Sequence, residues 1–183
     1  MRAIELRRWT REEYDRMAAA GVFAPGERVE LIDGEILKMT PQGSAHFTAI
    51  RLAEEALHSA FGPGFEVRAQ APLALNAISE SEPDVAVVRG FPRDYRDLHP
   101  VTALLVLEVS DTTLEYDRQR KGQLYACAGI QDYWLINIAD HCVEVYQDPI
   151  EGSYCSMSHF QPGDVISPLA APEAKIAVDD ILP

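Results

Sequence analysis

The sequence predicts a mixed α/β (α+β) fold, in which a central mixed β-sheet is flanked by helices and preceded by an N-terminal helix and a β-hairpin. Three observations predict this class. Short apolar runs of strand length alternate with amphipathic stretches of helical period. A hairpin signal lies near the N-terminus. The length of 183 residues, with 47% hydrophobic and 25% charged residues, suits one globular domain spanning residues 1–183.

The N-terminal third predicts a helix, a hairpin and a second helix. A capping box, Thr10 followed by Glu13, starts the first helix, which extends to about residue 20. Two strand-like runs, 29–32 and 35–39, flank the turn pair Asp33-Gly34. The second helix is predicted from about 44 to 61, and its apolar face consists of residues in helical register: Phe47, Ile50, Leu52, Ala53 and Leu57.

The rest of the chain predicts mainly strands, with one further helix. A capping box from Thr112 to Glu115 starts that helix, which is expected to run from about 114 to 128. Strands are expected at 65–75, 84–88, 103–109, 133–138 and 142–146, with weaker candidates at 154–160 and 175–178.

The charge of the chain weighs against nucleic acid as a partner. There are 29 acidic residues against 16 Lys and Arg, which gives a formal net charge of −13. Binding to phosphate chains draws most of its non-specific affinity from Lys and Arg. A nucleic-acid-binding protein of this composition must therefore gather its few cations locally.

Composition also indicates the compartment. No apolar run approaches the ~20 residues that span a bilayer, and the first ten residues lack the apolar region of a signal peptide, so we expect a cytoplasmic protein. The cysteines, Cys127, Cys142 and Cys155, are odd in number and lack the spacing of a metal site. They are more typical of free thiols in a reducing compartment than of a disulfide framework.

Two carboxylates lie at the ends of strands that should be buried. Asp84 follows Pro83 and opens the first of these strands, and Glu108 closes the apolar run at 103–109. A carboxylate at the end of a strand buried on both faces is desolvated unless a cation compensates it. A metal ion is the simplest such cation. The alternative for Asp84 is a turn-capping role after the proline.

The helix after the second strand supplies a cation. Asp117 and Lys121 lie on its inward stripe together with Leu124 and Tyr125, whereas Arg118 and Arg120 are expected to point outward. Lys121 would then lie over the end of the buried strand, beside the two carboxylates, with Asp117 orienting it. The alternative is an ordinary ion pair on a solvated face, worth a few tenths of a kcal/mol.

Other polar residues give weaker indications. Glu30 lies between two apolar residues of the first hairpin strand, so it faces either solvent or a cleft. His46 lies in the first turn of its helix, where a capping or surface role is the main alternative to a role in a cleft. Ser110 and the cysteines have no adjacent base, and no Gly-rich phosphate loop is present, so the sequence does not indicate a serine or cysteine hydrolase or a nucleotide-binding loop.

Taken together, an ordered set of motifs resembles the bacterial restriction-endonuclease-like proteins called the Uma-two family, within the PD-(D/E)XK nuclease superfamily. The resemblance covers residues 27 to 147. It rests on Glu30-Leu-Ile-Asp-Gly-Glu35, Met39-Thr-Pro41, His46, Glu82-Pro-Asp84-Val, Leu107-Glu108-Val-Ser110, Asp117-x-x-x-Lys121 and Tyr125-x-x-x-Gly129. It implies a restriction-endonuclease-like core.

The resemblance also implies a reaction and a set of roles. Asp84, Glu108 and the backbone carbonyl of Val109 would hold Mg²⁺ or Mn²⁺, and a metal-activated water would hydrolyse a phosphodiester bond of DNA. The superfamily places a lysine two residues after the second acid, where this chain has Ser110, so the resemblance assigns the lysine role to Lys121 on the next helix. Glu30 and His46 would line the cleft or complete an outer shell of the site.

Two other functions fit the same residues. A nuclease fold without catalysis, acting as a binding or regulatory module, would explain both the net charge of −13 and the serine at position 110. A metal-dependent hydrolase of a smaller substrate would tolerate the acidic surface. A homodimer is also expected, because nucleases that cut both strands often work as symmetric pairs. Such a dimer could gather Arg89, Arg93 and Arg96 around one cleft.

Overall fold

The computed structural model describes residues 5–183, so residues 1–4, part of the segment used to assess a signal peptide, lie outside it. No helix within residues 5–183 is long and apolar enough to cross a membrane. The helices are α1 (Arg11–Ala19), α2 (Ser44–Phe61), α3 (Leu114–Tyr116) and α4 (Gly122–Cys127), with a π-helix (Asp117–Lys121) between α3 and α4 and 3₁₀ turns at Pro92–Tyr95 and Val178–Asp180. The strands are β1 (Val29–Ile32), β2 (Glu35–Lys38), β3 (Phe65–Ala69), β4 (Leu73–Asn76), β5 (Ser79–Ser81), β6 (Val85–Arg89), β7 (Leu105–Ser110), β8 (Asp132–Asn137), β9 (Cys142–Ile150), β10 (Ser153–Phe160), β11 (Val165–Ile166) and β12 (Ile176–Ala177).

A mixed six-stranded sheet forms the centre of the fold, which confirms the predicted class. Its strand order is β10-β9-β8-β7-β6-β3. The pair β7 and β8 is parallel, and the chain crosses between them through α3, the π-helix and α4. The other neighbours in this sheet pair antiparallel. A second sheet, β2-β1-β5-β4, contains the predicted hairpin.

The two central strands are buried on both faces, which explains their nearly continuous apolar sequence. On one face Val85, Val87 and Leu107 pack against α2. On the other face Ala86 and Val106 pack with residues of α4 and β8. Side chains alternate along a strand, so Asp84 and Glu108 belong to the face that α4 covers.

Local sequence signals fix the N-terminal elements as predicted. The hydroxyl of Thr10 accepts the backbone N–H of Glu13, whose carboxylate in turn accepts the N–H of Thr10. Asp33 and Gly34 both have positive φ, 50° and 74°, as a two-residue hairpin turn of this type requires. A Cβ at position 34 would lie 2.6 Å from the Cβ of Arg8, so this glycine is also needed for close packing.

The single strand predicted at 65–75 is wrong. The chain breaks at Gln70, which has φ 49°, and continues as β4 in the other sheet. There it pairs with β5, a three-residue strand that the sequence did not indicate. The break brings Gln70 beside Asp84, because the N–H of Gln70 donates to the carbonyl of Asp84 at 3.0 Å.

Three finer expectations about the helices also fail. Phe47 is 53% exposed although it shares the helical register of buried Ile50 and Leu57. The box predicted at Thr112 is absent from the described residues: Thr113 caps the helix, and its hydroxyl bonds Asp117 instead. The arginines at 118 and 120 do not point freely outward, because both form ion pairs with other elements.

Candidate active site

An open cleft lies where β6 begins and β7 ends. Its volume is about 330 Å³. The residues that line it include every side chain that the sequence singled out for the site: Glu30, His46, Asp84, Glu108, Asp117 and Lys121. The loop after β2, residues 39–43, also lines the cleft. The structure therefore brings together residues from four separate parts of the chain.

The two acids are held side by side across the β6–β7 pair. The backbone N–H of Asp84 donates to Glu108 Oε2 at 3.3 Å, and the N–H of Val109 donates to Asp84 Oδ2 at 2.9 Å. Both residues are almost fully buried, with 5% and 4% of their surface exposed. Each carboxylate thus lies against the backbone of the neighbouring strand, at one edge of the cleft.

Lys121 reaches this acid pair from the π-helix. Its Nζ lies 2.9 Å from Glu108 Oε1 and 3.4 Å from Glu30 Oε2. The ordinary solvated ion pair considered for Asp117 and Lys121 is therefore wrong, since both side chains are buried. Lys121 instead links an acid of the central sheet to one of the hairpin.

The combined effect of burial and neighbouring charges raises the pKa values of both Glu108 and Lys121. Burial raises the pKa of Glu108, the nearby charges of Asp84 and Asp117 raise it as well, and Lys121 opposes the shift. Burial alone would lower the pKa of Lys121, but Glu108 and Glu30 outweigh it and raise that pKa well above its ordinary value. Lys121 is therefore favoured as a cation by the acids around it.

Glu30 and His46 both line the cleft, so the role in a cleft is favoured over the solvent-exposed or capping role that the sequence left open. His46 Nε2 lies 3.2 Å from Asp84 Oδ2, and the side chain is 17% exposed. This nitrogen is buried, yet it makes no hydrogen bond of acceptable geometry within the described residues. Glu30 is 4% exposed and also accepts the backbone N–H of Glu82 at 3.3 Å.

Asp117 is held by a small hydroxyl network. The hydroxyl of Thr113 donates to Asp117 Oδ2 at 2.6 Å, and Ser110 Oγ lies 3.5 Å from that hydroxyl. Burial raises the pKa of Asp117, with Thr113 and Lys121 opposing the shift. The Asp117 carbonyl accepts both the N–H of Gly122 and the hydroxyl of Tyr133. The wider π turn therefore still leaves Asp117 and Lys121 on one inward face.

Tyr125 is a residue of the site whose polar role the sequence did not reveal. Its hydroxyl donates to Glu108 Oε1 at 2.5 Å, so it shares this oxygen with Lys121. The side chain is fully buried. The available signal was its position four residues after Lys121 on the same stripe, where it was interpreted as an apolar packing residue.

A second buried acid, Glu144, lies near two other residues that can bind metals. One ligand atom each from Cys142, Glu144 and His159 lies within 4.8 Å of the others. However, the Glu144 carboxylate already accepts hydrogen bonds from Arg118 at 2.5 and 3.0 Å, from Tyr146 at 2.6 Å and from Asn137 at 3.3 Å. These donors occupy its lone pairs. This acid is therefore a structural group rather than a metal ligand.

The comparisons with known proteins agree with this fold. A family described as Uma2, putative restriction endonuclease, matches residues 11–179. A solved structure, described as a putative nuclease belonging to DUF820 from Anabaena variabilis ATCC 29413, has a similar fold with a TM-score of 0.71. The two chains are 18% identical, and the match covers 94% of this chain and 96% of the other. No curated protein matches this chain.

Proposed function

The chain belongs to the Uma2 family of putative restriction endonucleases, and from this premise we propose that it is a metal-dependent endonuclease that hydrolyses phosphodiester bonds of DNA. The observation that carries the proposal is the contact of Lys121 with Glu108, 2.9 Å apart, beside Asp84. Two acids and a lysine, buried together at the edge of an open cleft, are groups that can hold a divalent ion and orient a phosphate for metal-assisted hydrolysis.

The residues of the cleft fit a hard divalent cation such as Mg²⁺ or Mn²⁺. Asp84 and Glu108 offer carboxylate oxygens, which such ions prefer. The N–H of Val109 points at Asp84, and because the N–H and carbonyl of a strand residue point to the same side, the Val109 carbonyl faces this edge as well. The buried, unbonded Nε2 of His46 adds a further donor atom. When bound, the ion would supply Lewis-acid activation of water and would offset the charge of the phosphate.

The chain's own residues divide the remaining tasks. Lys121 cannot accept a proton while it is held as a cation, so its role is to donate a hydrogen bond to the attacking water or to a phosphate oxygen. Glu30 is the second carboxylate that contacts the ammonium group, at 3.4 Å. Asp117 shares the π turn with Lys121 and has a supporting role, in which it orients that side chain. His46 Nε2 lies 3.2 Å from Asp84 Oδ2, so the imidazole would share the ion with that carboxylate.

The serine in the usual lysine position is compatible with this assignment. Ser110 is 1% exposed, and its hydroxyl lies against Thr113. Lys121 reaches Glu108 from the following helix instead. The amino group of a long side chain on an adjacent helix can thus take the place of the amino group of a lysine at position 110.

Plasmid nicking in Mg²⁺ or Mn²⁺ tests the proposal. The purified protein should nick supercoiled DNA, and Asp84→Ala and Lys121→Ala should each abolish nicking. Lys175→Ala is the matched control, because this lysine is exposed, and among the residues that the structure describes it donates only to Ser167. Equal, metal-independent nicking by all four proteins would contradict the proposal and would favour a binding or regulatory module.

We also propose that double-strand cleavage uses a homodimer, because a two-fold pair would present one cleft to each strand. Sedimentation at assay concentrations should then give a mass of twice 20.3 kDa. A mass of one chain, together with cleavage of both strands, would contradict the dimer.

A further inference from the structure

The two edge strands of the central sheet differ in charge. β3 forms one edge with five residues, of which Glu66 and Arg68 are charged. β10 forms the other edge with eight residues, and none of them is Asp, Glu, Lys or Arg. The uncharged stretch extends over residues 152–163, although 25% of the whole chain is charged. The β10 edge is therefore an uncharged strip on a strongly acidic protein.

Within residues 5–183, the outer side of β10 has no strand beside it. β10 pairs with β9 alone, and the next strand, β11, pairs with β12. The segment after β11 crosses one face of the sheet towards its centre, where the N–H of Leu169 donates to Asp132 of β8 at 2.8 Å. Every second residue of β10 therefore directs an unpaired backbone N–H and C=O away from the sheet.

β10 also lacks the features that usually protect a free edge. Folded proteins protect such edges with charged side chains, proline, bulges or very short strands. β10 is eight residues long and contains neither lysine nor proline. Its register with β9 is continuous from Ser156 to Phe160. A long and regular edge of this kind is able to accept a further strand.

Apolar side chains lie beside the β10 edge on both faces of the sheet. Met157 is 51% exposed, and Phe160, three residues later, points to the other face. On that face Phe160 lines a groove of about 340 Å³ together with the exposed side chains of Val165 and Leu169. A strand that paired with β10 would thus cover apolar surface as well as satisfy backbone groups.

Charge identifies a second copy of this chain as the partner of β10. Two copies that each carry a net charge of −13 repel one another where their acidic surfaces meet. The uncharged edge is a place where they can approach without that repulsion. A two-fold axis perpendicular to β10 pairs the strand antiparallel with its own copy. The opposite edge, β3, is charged, so the assembly closes at two copies.

We propose that β10 pairs antiparallel with β10 of a second copy, so that the two central sheets form one continuous sheet across a homodimer. The inference rests on the homodimer proposed above and adds where the two copies meet. Main-chain hydrogen bonds supply the pairing, as in other cases of strand addition. The cleft lies at β6 and β7, and β7 is three strands away from β10, so the interface leaves both clefts open.

Sedimentation velocity over a range of protein concentrations tests the interface. Met157 lies near the middle of β10, so its two copies lie close together in a symmetric pair. Met157→Lys places two like charges there and removes an apolar contact. Val22→Lys is the matched control, because Val22 is also an exposed apolar residue, lies in the segment after α1, and receives the same charge.

The unsubstituted protein and Val22→Lys should dimerise with the same Kd. Met157→Lys should raise Kd at least about 10-fold, since a two-fold interface contains the change twice. Equal Kd values in the two variants would overturn the β10 interface and leave the homodimer standing. A monomer at every concentration of the unsubstituted protein would overturn the homodimer and the interface with it. Plasmid nicking by that monomer would leave the nuclease proposal intact.

Hydrogen exchange of backbone amides tests the strand pairing itself. Deuterium uptake by peptides from residues 152–163 is compared at protein concentrations below and above Kd. The outward N–H groups of β10 should exchange more slowly in the dimer, because they then donate to the second copy. This comparison uses the unsubstituted protein, so it does not depend on whether Met157→Lys folds. Unchanged exchange in β10 of a protein that sediments as a dimer would overturn the proposed pairing.

Discussion

Glu108 and Glu144 are two buried acids in one row of the central sheet, and they behave in opposite ways. Glu108 of β7 lies opposite Leu135 of β8, which in turn lies opposite Glu144 of β9. Both acids are almost fully buried, with 4% and 0% of their surface exposed. Both receive a cation from the same π-helix, Lys121 in one case and Arg118 in the other.

Their partners explain the difference. Burial alone would raise the pKa of Glu144, but hydrogen bonds from Arg118, Tyr146 and Asn137 outweigh it and lower that pKa. At Glu108 burial prevails, because its cation is shared with Glu30 and the neighbouring acids add negative charge. Oε2 of Glu108 accepts one long bond, 3.3 Å, from the backbone of Asp84.

The contrast separates a structural acid, Glu144, from Glu108, the acid that we propose to be functional. A carboxylate whose lone pairs are all taken contributes to stability and has nothing left to offer a ligand. A buried carboxylate that is only partly satisfied costs stability and keeps coordinating capacity. Burial of an acid is therefore a weak indicator of function, and the pattern of hydrogen-bond donors around it is a better one.

Of the measurements that compare Glu108 with Glu144, the rate of DNA cleavage should show the largest difference. Glu108→Gln should lower the nicking rate at least about 100-fold, because it removes a proposed ligand rather than a group that supports one. Glu144→Gln should stay within about threefold of the unsubstituted protein, provided that the assay temperature lies below its unfolding midpoint. Initial rates on supercoiled plasmid measure both. Similar losses in the two variants would remove the distinction.

The next effect concerns the donor that the sequence did not reveal. Tyr125→Phe deletes the bond to Glu108 Oε1 and should weaken Mn²⁺ binding about 10- to 100-fold, as loss of a supporting hydrogen bond to a ligand does. Tyr154→Phe is the control, because its hydroxyl bonds only the carbonyl of Ile130. Isothermal titration gives both affinities. Unchanged affinity in Tyr125→Phe would show that Lys121 alone fixes Glu108.

The free energy of unfolding should show the opposite order, with the larger loss in Glu144→Gln. Glu144→Gln leaves the half-buried guanidinium of Arg118 without its counter-charge and should cost about 2 kcal/mol, less than for a fully buried pair. For a chain of this length that lowers Tm by about 4–8 °C. Glu108→Gln in EDTA should cost less, because Glu30 still pairs with Lys121 and the change relieves repulsion among Glu108, Asp84 and Asp117. Thermal unfolding compares them, and a larger loss in Glu108→Gln would contradict the assignment.

The smallest expected effect is the pH dependence of the stability that Glu144 contributes. The pKa of Glu144 is lowered from 4.5 in the folded protein, so its contribution is fully present above pH 4.5 and is lost as pH falls through the folded value. The gap in unfolding free energy between the unsubstituted protein and Glu144→Gln should therefore narrow below pH 4.5. Denaturant titrations from pH 7 to pH 3 measure it. A gap that widens on acidification would reverse the sign of the pKa shift.

Local signals in the sequence predicted much of the fold and of the site. The capping box at Thr10, the turn at Asp33-Gly34 and the helix 44–61 depend on interactions within a few residues, so they can be read directly. Asp84 and Glu108 stood out because a charge at the end of an apolar strand is costly anywhere. Helical spacing then placed Lys121 on the inward face.

Other features depend on contacts between distant parts of the chain. The break at Gln70 requires a positive φ, and glutamine is not a residue type whose presence predicts that conformation. Arg118 was expected to face solvent, but its partner Glu144 lies 26 residues away and meets it only once the sheet is formed. The helical spacing of Tyr125 indicated a packing residue. The role of its hydroxyl becomes visible only when the fold brings it to Glu108.

A calorimetric titration with Mn²⁺ tests most directly whether the cleft is a metal site. The unsubstituted protein and Glu144→Gln should each bind one ion per cleft with similar affinity, and Asp84→Asn and Glu108→Gln should lose that binding event. Binding that survives in Glu108→Gln but disappears in Glu144→Gln would contradict the assignment, and would place the ion at Glu144 beside Cys142 and His159.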